Sequence, residues 1–266
     1  MKISELKYSN TNTYLISLSE GYALFDTGWA GTFEAFCSSM GEIKASVQDI
    51  RYIFLSHFHP DHMGIAQNIA MHGARIVVTD IQKTYIHNAD SILQRKKSDV
   101  FIPIDDATIL EVSASGSRDF LQKIGISGEI LHTPGHSDDS ISLILDEGIA
   151  FVGDLNPLYE LEAHKASQIY DSWQKILSHN PQKIYYGHAK TADLSQNDNK
   201  QTIESQDRYN LVKKIMKYTD AGKSIDIICR KTGEDKIFVE DVIRMYLTHR
   251  DVGVQGILDR IEIKNK

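Results

Sequence analysis

Apolar residues in the first two thirds of the chain fall in short runs, and most runs stop at a glycine, an aspartate or a histidine. KISELKY, TYLISL and YALFDTG read as strands, the last ending at the turn signal Asp26-Thr27-Gly28. GTFEAFCSSMGEI has the spacing of an amphipathic helix. RYIFLS is apolar almost throughout, as expected of a strand buried on both faces. GIAQNIAMHG predicts a helix closed by Gly73, and ARIVVTD another strand. Residues 81–99 carry a helical pattern ending in the charged run Gln94-Arg95-Lys96-Lys97, read either as a solvated helix face or as a lid over an anionic substrate.

ATILEV, GEILHT, SISLILD and GIAFVGD predict further strands, the last two joined through Asp146-Glu147-Gly148 as a tight hairpin. DSWQKILSHN is a helix stopped before Pro181, and KIYYGH a strand. The chain therefore alternates strands and helices in two rounds, an α/β pattern. Beyond Asp193 the strands cease. LSQNDNKQTIESQDRYNLVKKIMKYTDAG reads as a polar linker into a helix, SIDIICRKTG as a short helix ended by Gly233 and FVEDVIRMYLTHRD as another helix, and GILDRIEIKNK closes the chain. This predicts a domain over residues 1–194 and a helical extension over 195–266. The extension has the outline of a helix-turn-helix or winged helix, and equally of a packing or dimerisation module, which leaves a homodimer open.

The 266 residues suffice for one large domain with an appendage, so neither disulfide nor metal is needed merely to fold. The net charge of -7 argues against nucleic acid and membrane surfaces as partners. The extension is nearly neutral, with 14 basic and 12 acidic residues, so the negative charge sits in the first domain. The first residues lack an apolar h-region and no apolar run approaches the roughly 18 residues of a membrane span, so neither signal peptide nor span is expected. Cys37 and Cys229 have no metal-type spacing and read as free thiols of a cytoplasmic protein.

The segment SHFHPDHMG changes the picture. It places His57, His59, Asp61 and His62 within six residues, directly after the buried strand RYIFLS. Side chains two apart on an extended segment point the same way, so His57 and His59 can grip one ion together. Asp61 and His62 follow the bend at Pro60 and can face a second ion. Imidazole and carboxylate suit zinc, iron or manganese better than calcium or magnesium. Further ligand types arrive at strand ends: His136 in TPGHS, Asp154 in VGD and His188 in YGHA.

This combination resembles the metallo-β-lactamase superfamily, whose HxHxDH segment is followed by histidine, aspartate and histidine in PGH, GD and GH turns. FDTG also matches the family's early DTG, and the resemblance covers Met1 to about Thr191. It implies an αββα sandwich with a two-metal site along one edge. His57, His59 and His136 would hold the first ion, Asp61, His62 and His188 the second, and Asp154 would bridge them. The ions would be divalent, zinc above all, with manganese and iron as alternatives. The β-lactamases themselves generally lack the bridging aspartate, so the resemblance implies the broader hydrolase branch.

Such a site implies hydrolysis of a small ester, thioester or related molecule by a metal-bridging hydroxide. Asp61 is the catalytic candidate, orienting the nucleophile and passing a proton to the leaving group. Lactonases of the family carry a tyrosine three residues after the bridging aspartate. Here Pro157 stands there and Tyr159 is displaced. Trp29, Tyr159 and His164 are the candidate lining of the substrate pocket, whose walls are expected from residues 81–99 and 156–167. A ribonuclease-like phosphodiesterase, a single-iron dioxygenase of the same fold and a non-enzymatic metal-stabilised regulatory protein remain the competing functions.

Overall fold

A computed structural model describes residues 1–95, 101–195, 203–248 and 253–264. Lys96, Lys97 and the side chains of Arg95 and Tyr159 lie outside the described residues. The chain divides into two compact units, Met1–Ser195 and Gln196–Lys266.

The first unit contains two sheets. One runs in chain order through β1 (Ile3–Leu6), β2 (Thr13–Ser17), β3 (Tyr22–Phe25), β4 (Ile50–Phe54), β5 (Arg75–Thr79) and β6 (Ile109–Val112). Pairing is antiparallel from β1 to β3 and parallel from β3 to β6. The other sheet uses β7 (Gly128–His132), β8 (Ile141–Leu145), β9 (Ile149–Phe151), β10 (Lys183–Tyr185) and β11 (Ala192–Asp193), in the order β11-β10-β9-β8-β7. Among the described residues β9 and β10 pair in parallel there and the other neighbours antiparallel.

The alternation of side chains along each strand builds the layers. Tyr14, Ile16, Ala23, Phe25, Phe54 and Val77 of the first sheet share one buried cluster with Ile130, Ile141, Leu143 and Phe151 of the second. Phe151 meets Tyr14 and Phe25 across this seam at ring distances of 5.5 and 5.3 Å. The intervening residues Leu15, Leu24, Ile53, Ile76 and Val78 face the opposite way and pack with Phe36 and Met40 of helix α1 (Phe33–Glu42). On the second sheet, Ile144, Ala150 and Ile184 pack with Trp173 and Ile176 of a helix over Gln168–Leu177. The order helix, sheet, sheet, helix is the αββα sandwich of the sequence reading.

Local structure departs from the pattern in three places. The helix expected over GIAQNIAMHG begins earlier, at α2 (Pro60–Met63), and resumes as α3 (Ala66–Ala70). Proline is preorganised for a first helical position, which starts the helix inside the histidine motif itself. Residues 81–95 form one 3-10 turn at Lys83–Tyr85 and the short helix α4 (Asp90–Arg95), because Ile86 and Ala89 turn into the core between them. A helix over Ser117–Lys123, α5, precedes β7 and has no counterpart in the sequence reading.

Asn12 ties the two sheets together from just before β2. Its side-chain amide donates to the carbonyls of Tyr186 and Ala189, each at 3.0 Å, and its backbone N–H donates to Gly187 O. Beside it the Tyr14 hydroxyl donates to Tyr186 O at 2.8 Å.

The second unit is helical: Ile203–Asp220, Ile225–Thr232, Lys236–Thr248 and Val254–Lys264. Val212, Ile215, Ile228, Val239, Val242 and Ile257 form its own core. The second of these helices ends on Gly233 at φ 80°, the left-handed stop anticipated from SIDIICRKTG. Both cysteines are free. Among the described residues no helix is long and apolar enough to cross a membrane.

Candidate metal centre

Parallel pairing decides where the chemistry gathers. β3 and β4 are parallel, so Asp26 leaves its strand beside Ser56 and His57. β9 and β10 are parallel, so Asp154 and His188 emerge together. The loop after β7 brings His136 against His59, with His136 Nε2 3.1 Å from His59 Nδ1. His57, His59 and His136 form one group of donors, and Asp61, His62, Asp154 and His188 another, each with ligand atoms within 4.8 Å of one another.

The imidazoles are held from behind. Buried Asp26 accepts from Ser56 N at 2.7 Å, from Ser56 Oγ at 2.9 Å and from His62 Nδ1 at 2.9 Å. Ser56 has one hydroxyl proton, and Asp26 takes it. Ser56 Oγ therefore accepts from His57 Nδ1 at 3.0 Å. His188 Nδ1 donates to the Asn10 carbonyl at 2.9 Å. In each ring Nδ1 donates outward and Nε2 is turned inward, the orientation that outer hydrogen bonds impose on metal-binding histidines. His57 Nε2, His62 Nε2 and Asp154 Oδ1 are buried without any hydrogen-bond partner. An orphaned buried polar atom costs about 1–3 kcal/mol, and three together fit a site that a bound cation would satisfy.

Asp154 reaches both groups. Its Oδ1 lies 3.3 Å from His62 Nε2, without hydrogen-bond geometry, and its Oδ2 lies 3.5 Å from His136 Nε2 and 3.6 Å from His188 Nε2. Asp61 Oδ2 lies 2.9 Å from His188 Nε2 and 3.8 Å from His62 Nε2. The carboxylate has room because position 187 has no side chain: a Cβ on Gly187 would stand 2.5 Å from Asp154 Oδ1 and 2.8 Å from His62 Cε1. Gly64 plays the same part behind α2, where a Cβ would meet Ala30 N at 2.2 Å.

Charge is shared unevenly. Burial would raise the Asp61 carboxyl, but His62 and His188 outweigh it and hold it at about 2. Asp154 is likewise pulled well below the carboxylate range: burial opposes this, and His188, His62 and His136 prevail. Burial lowers His57 well below its ordinary value, helped by His62 and His136. Burial also lowers His136, to about 4. His62 goes the other way, because Asp154, Asp26 and Asp61 outweigh its burial. Without an ion, the proton of the site therefore resides on His62, while His57 and His136 stay neutral.

The seven residues read from the sequence as ligands all converge here. Asp26, Ser56 and Asp139 were not singled out as orienting groups. Asp139 fixes the start of the motif, accepting from Phe58 N at 2.7 Å and from Ser137 Oγ at 2.6 Å. The signal for Asp26 was FDTG, a polar turn closing an apolar strand. A cavity of about 440 Å³ opens beside His59 and His136. Residues 81–99 line it with Tyr85, Asn88, Ala89 and Ile92, while none of the described residues of 156–167 does. Trp29 is half-buried and His164 is buried, and neither lines this cavity.

Residues 7–188 match the metallo-beta-lactamase superfamily. A lactamase-like protein of Pestalotiopsis fici is 30% identical over 68% of this chain and 50% of its own length. An atrochrysone carboxyl ACP thioesterase of Emericella nidulans is 26% identical over 65% of this chain and 54% of its own. The chain thus spans about half the length of these two curated relatives. A metallo-beta-lactamase family protein of Thermus thermophilus superposes with a TM-score of 0.51 at 18% identity, over 98% of this chain and 92% of that one.

Proposed function

The chain belongs to the metallo-beta-lactamase superfamily, and on that premise we propose that it is a dinuclear zinc hydrolase of a small thioester or ester. The observation that carries the proposal is the pair of donor groups joined by Asp154, with buried Nε2 atoms of His57 and His62 left bare. His57, His59 and His136 would hold one ion, Asp61, His62 and His188 the other, with Asp154 between them. Nitrogen and carboxylate donors favour zinc, manganese or iron, and zinc suits a low-coordinate histidine-rich set. Two such ions supply Lewis acidity and a water acidic enough to ionise near neutral pH. Relatives named as thioesterases of acyl carrier protein support the thioester class.

The residues have distinct tasks in that reaction. The bond from the acyl carbon to sulfur breaks, a bond to a water oxygen forms, and the water's proton must reach the departing thiolate. Asp61 Oδ2 lies beside His188 Nε2 and His62 Nε2 in the second donor group and is the carboxylate we assign to carry that proton. Asp26 keeps His62 in one tautomer throughout.

The deciding experiment is elemental analysis of protein purified without chelator, combined with thiol release from short acyl thioesters. Two zinc ions per chain and metal-dependent thiol release are the expected result. A single iron with thiol-dependent oxygen uptake, or full thiol release from metal-stripped protein, would overturn the proposal.

A further inference from the structure

The cavity beside His59 and His136 has a composition that selects its occupant. Much of its lining is apolar: Phe58 and Pro60 from the motif, and Tyr85, Ala89 and Ile92 from the segment after β5. Phe58 and Ala89 belong to the core cluster, with Tyr85 packed against it, so most of this wall is anchored from behind. Ile92 is 56% exposed, an aliphatic side chain set in solvent at the rim of α4. The lining also includes Asp138 and Asp139. Asp139 is spent on Phe58 N and Ser137 Oγ, while exposed Asp138 presents a negative charge at the mouth. Among the described residues no lysine or arginine lines this space.

We propose that this cavity is an acyl-group subsite that takes an uncharged apolar acyl chain and rejects an anionic one, with Ile92 and Asp138 as the specificity-determining residues. The inference rests on the thioester reading of the adjacent centre. Its volume of about 440 Å³ lies in the range of ligand sites and exceeds what an acetyl group fills. Each methylene buried against such a wall is worth roughly a threefold gain in kcat/KM. A terminal carboxylate would meet the apolar wall and the charge of Asp138 together, and so loses twice.

The test uses the full-length, metal-loaded protein and thioesters of one uncharged thiol, N-acetylcysteamine, varying only the acyl group. From acetyl to hexanoyl, four methylenes longer, kcat/KM should rise on the order of 80-fold, and succinyl should fall below butanoyl. Ile92→Asp should collapse the hexanoyl-to-acetyl ratio, and Asp138→Lys should raise succinyl relative to butanoyl. A flat acyl series, or ratios unmoved in both variants, overturns the inference even if hydrolysis is fast. Should no thioester be cleaved, the hydrolase reading fails by itself. The subsite is then tested by calorimetric binding of ketone analogues with methylene in place of sulfur. Chain-length-dependent affinity lost in Ile92→Asp sustains it, and equal affinities refute it.

Discussion

Asp26 Oδ2 sits 2.9 Å from His62 Nδ1, and both side chains are shut away from solvent. The same carboxylate takes the hydroxyl proton of Ser56, which in turn receives His57 Nδ1. One turn residue at the end of β3 thus aims one imidazole from each donor group. Asp26 itself adopts φ 61°, in the left-handed region where aspartate is tolerated better than most residues.

Asp26→Ala should therefore weaken metal binding by about 10- to 100-fold without touching a ligand, the usual penalty for losing an outer hydrogen-bond partner. Competition against a chromophoric chelator measures it. Unchanged affinity for both ions would show that His57 and His62 are oriented by something else.

Asp61→Asn separates ligation from proton transfer. With both ions restored by supplementation, and verified by elemental analysis, turnover should drop about 10²- to 10⁴-fold. A two-metal variant with full turnover removes Asp61 from the reaction.

Gly187→Ala drives a methyl group against Asp154 Oδ1 and His62 Cε1. Metal content should fall from two ions to one or fewer per chain, because Asp154 can no longer lie between the groups. Retention of two tightly held ions would contradict the bridging position of Asp154.

The stability of the metal-free protein should depend on pH with a maximum near 6.5. Below that value the unfolded chain protonates its histidines while His57 and His136 resist, so the native state binds fewer protons. Stability then declines as pH falls from 6.5 through about 4, the depressed value of His136. The depressed Asp61 adds a further loss below its ordinary 3.8, completed near 2. Above 6.5 the sign reverses for His62, whose raised value means that its contribution is lost as pH climbs through it. Thermal midpoints of chelator-treated protein across pH 4–9 test this. A monotonic rise to pH 9 would show that His62 holds no extra proton.

The sandwich was legible because its two periodicities are clean. Leu15 and Leu24 turn to one face of their sheet, Tyr14, Ile16 and Phe25 to the other, and β3, β4, β7, β9 and β10 each run out within a few residues of a polar residue of the site. The site was legible for a related reason: HFHPDH concentrates donors on one strand exit, and the remaining three stand in glycine turns. Tertiary geometry hid the rest. That Asp26 answers His62 depends on β3 lying parallel to β4, a pairing between residues 36 apart in sequence. That residues 81–95 break into a turn and a short helix depends on Ile86 and Ala89 finding the core, which helical periodicity alone does not reveal. Asp139 is one of two adjacent aspartates in HSDDS, and only the fold tells the anchored one from the exposed one.

The strap at Asn12 bears on how the chain assembles as it is synthesised. Residue 12 is made early, but the carbonyls that satisfy its buried amide belong to residues 186 and 189, which follow 174 and 177 positions later. A ribosome-bound intermediate with only the first sheet complete would leave that amide, and the Tyr14 hydroxyl beside it, without their native acceptors, at about 1–3 kcal/mol for each group if buried. Docking of the second sheet removes the deficit in the same event that delivers Asp154 and His188 to the edge. These cross-sheet hydrogen bonds therefore form only once the chain has been made past residue 189, a closure between segments far apart in sequence.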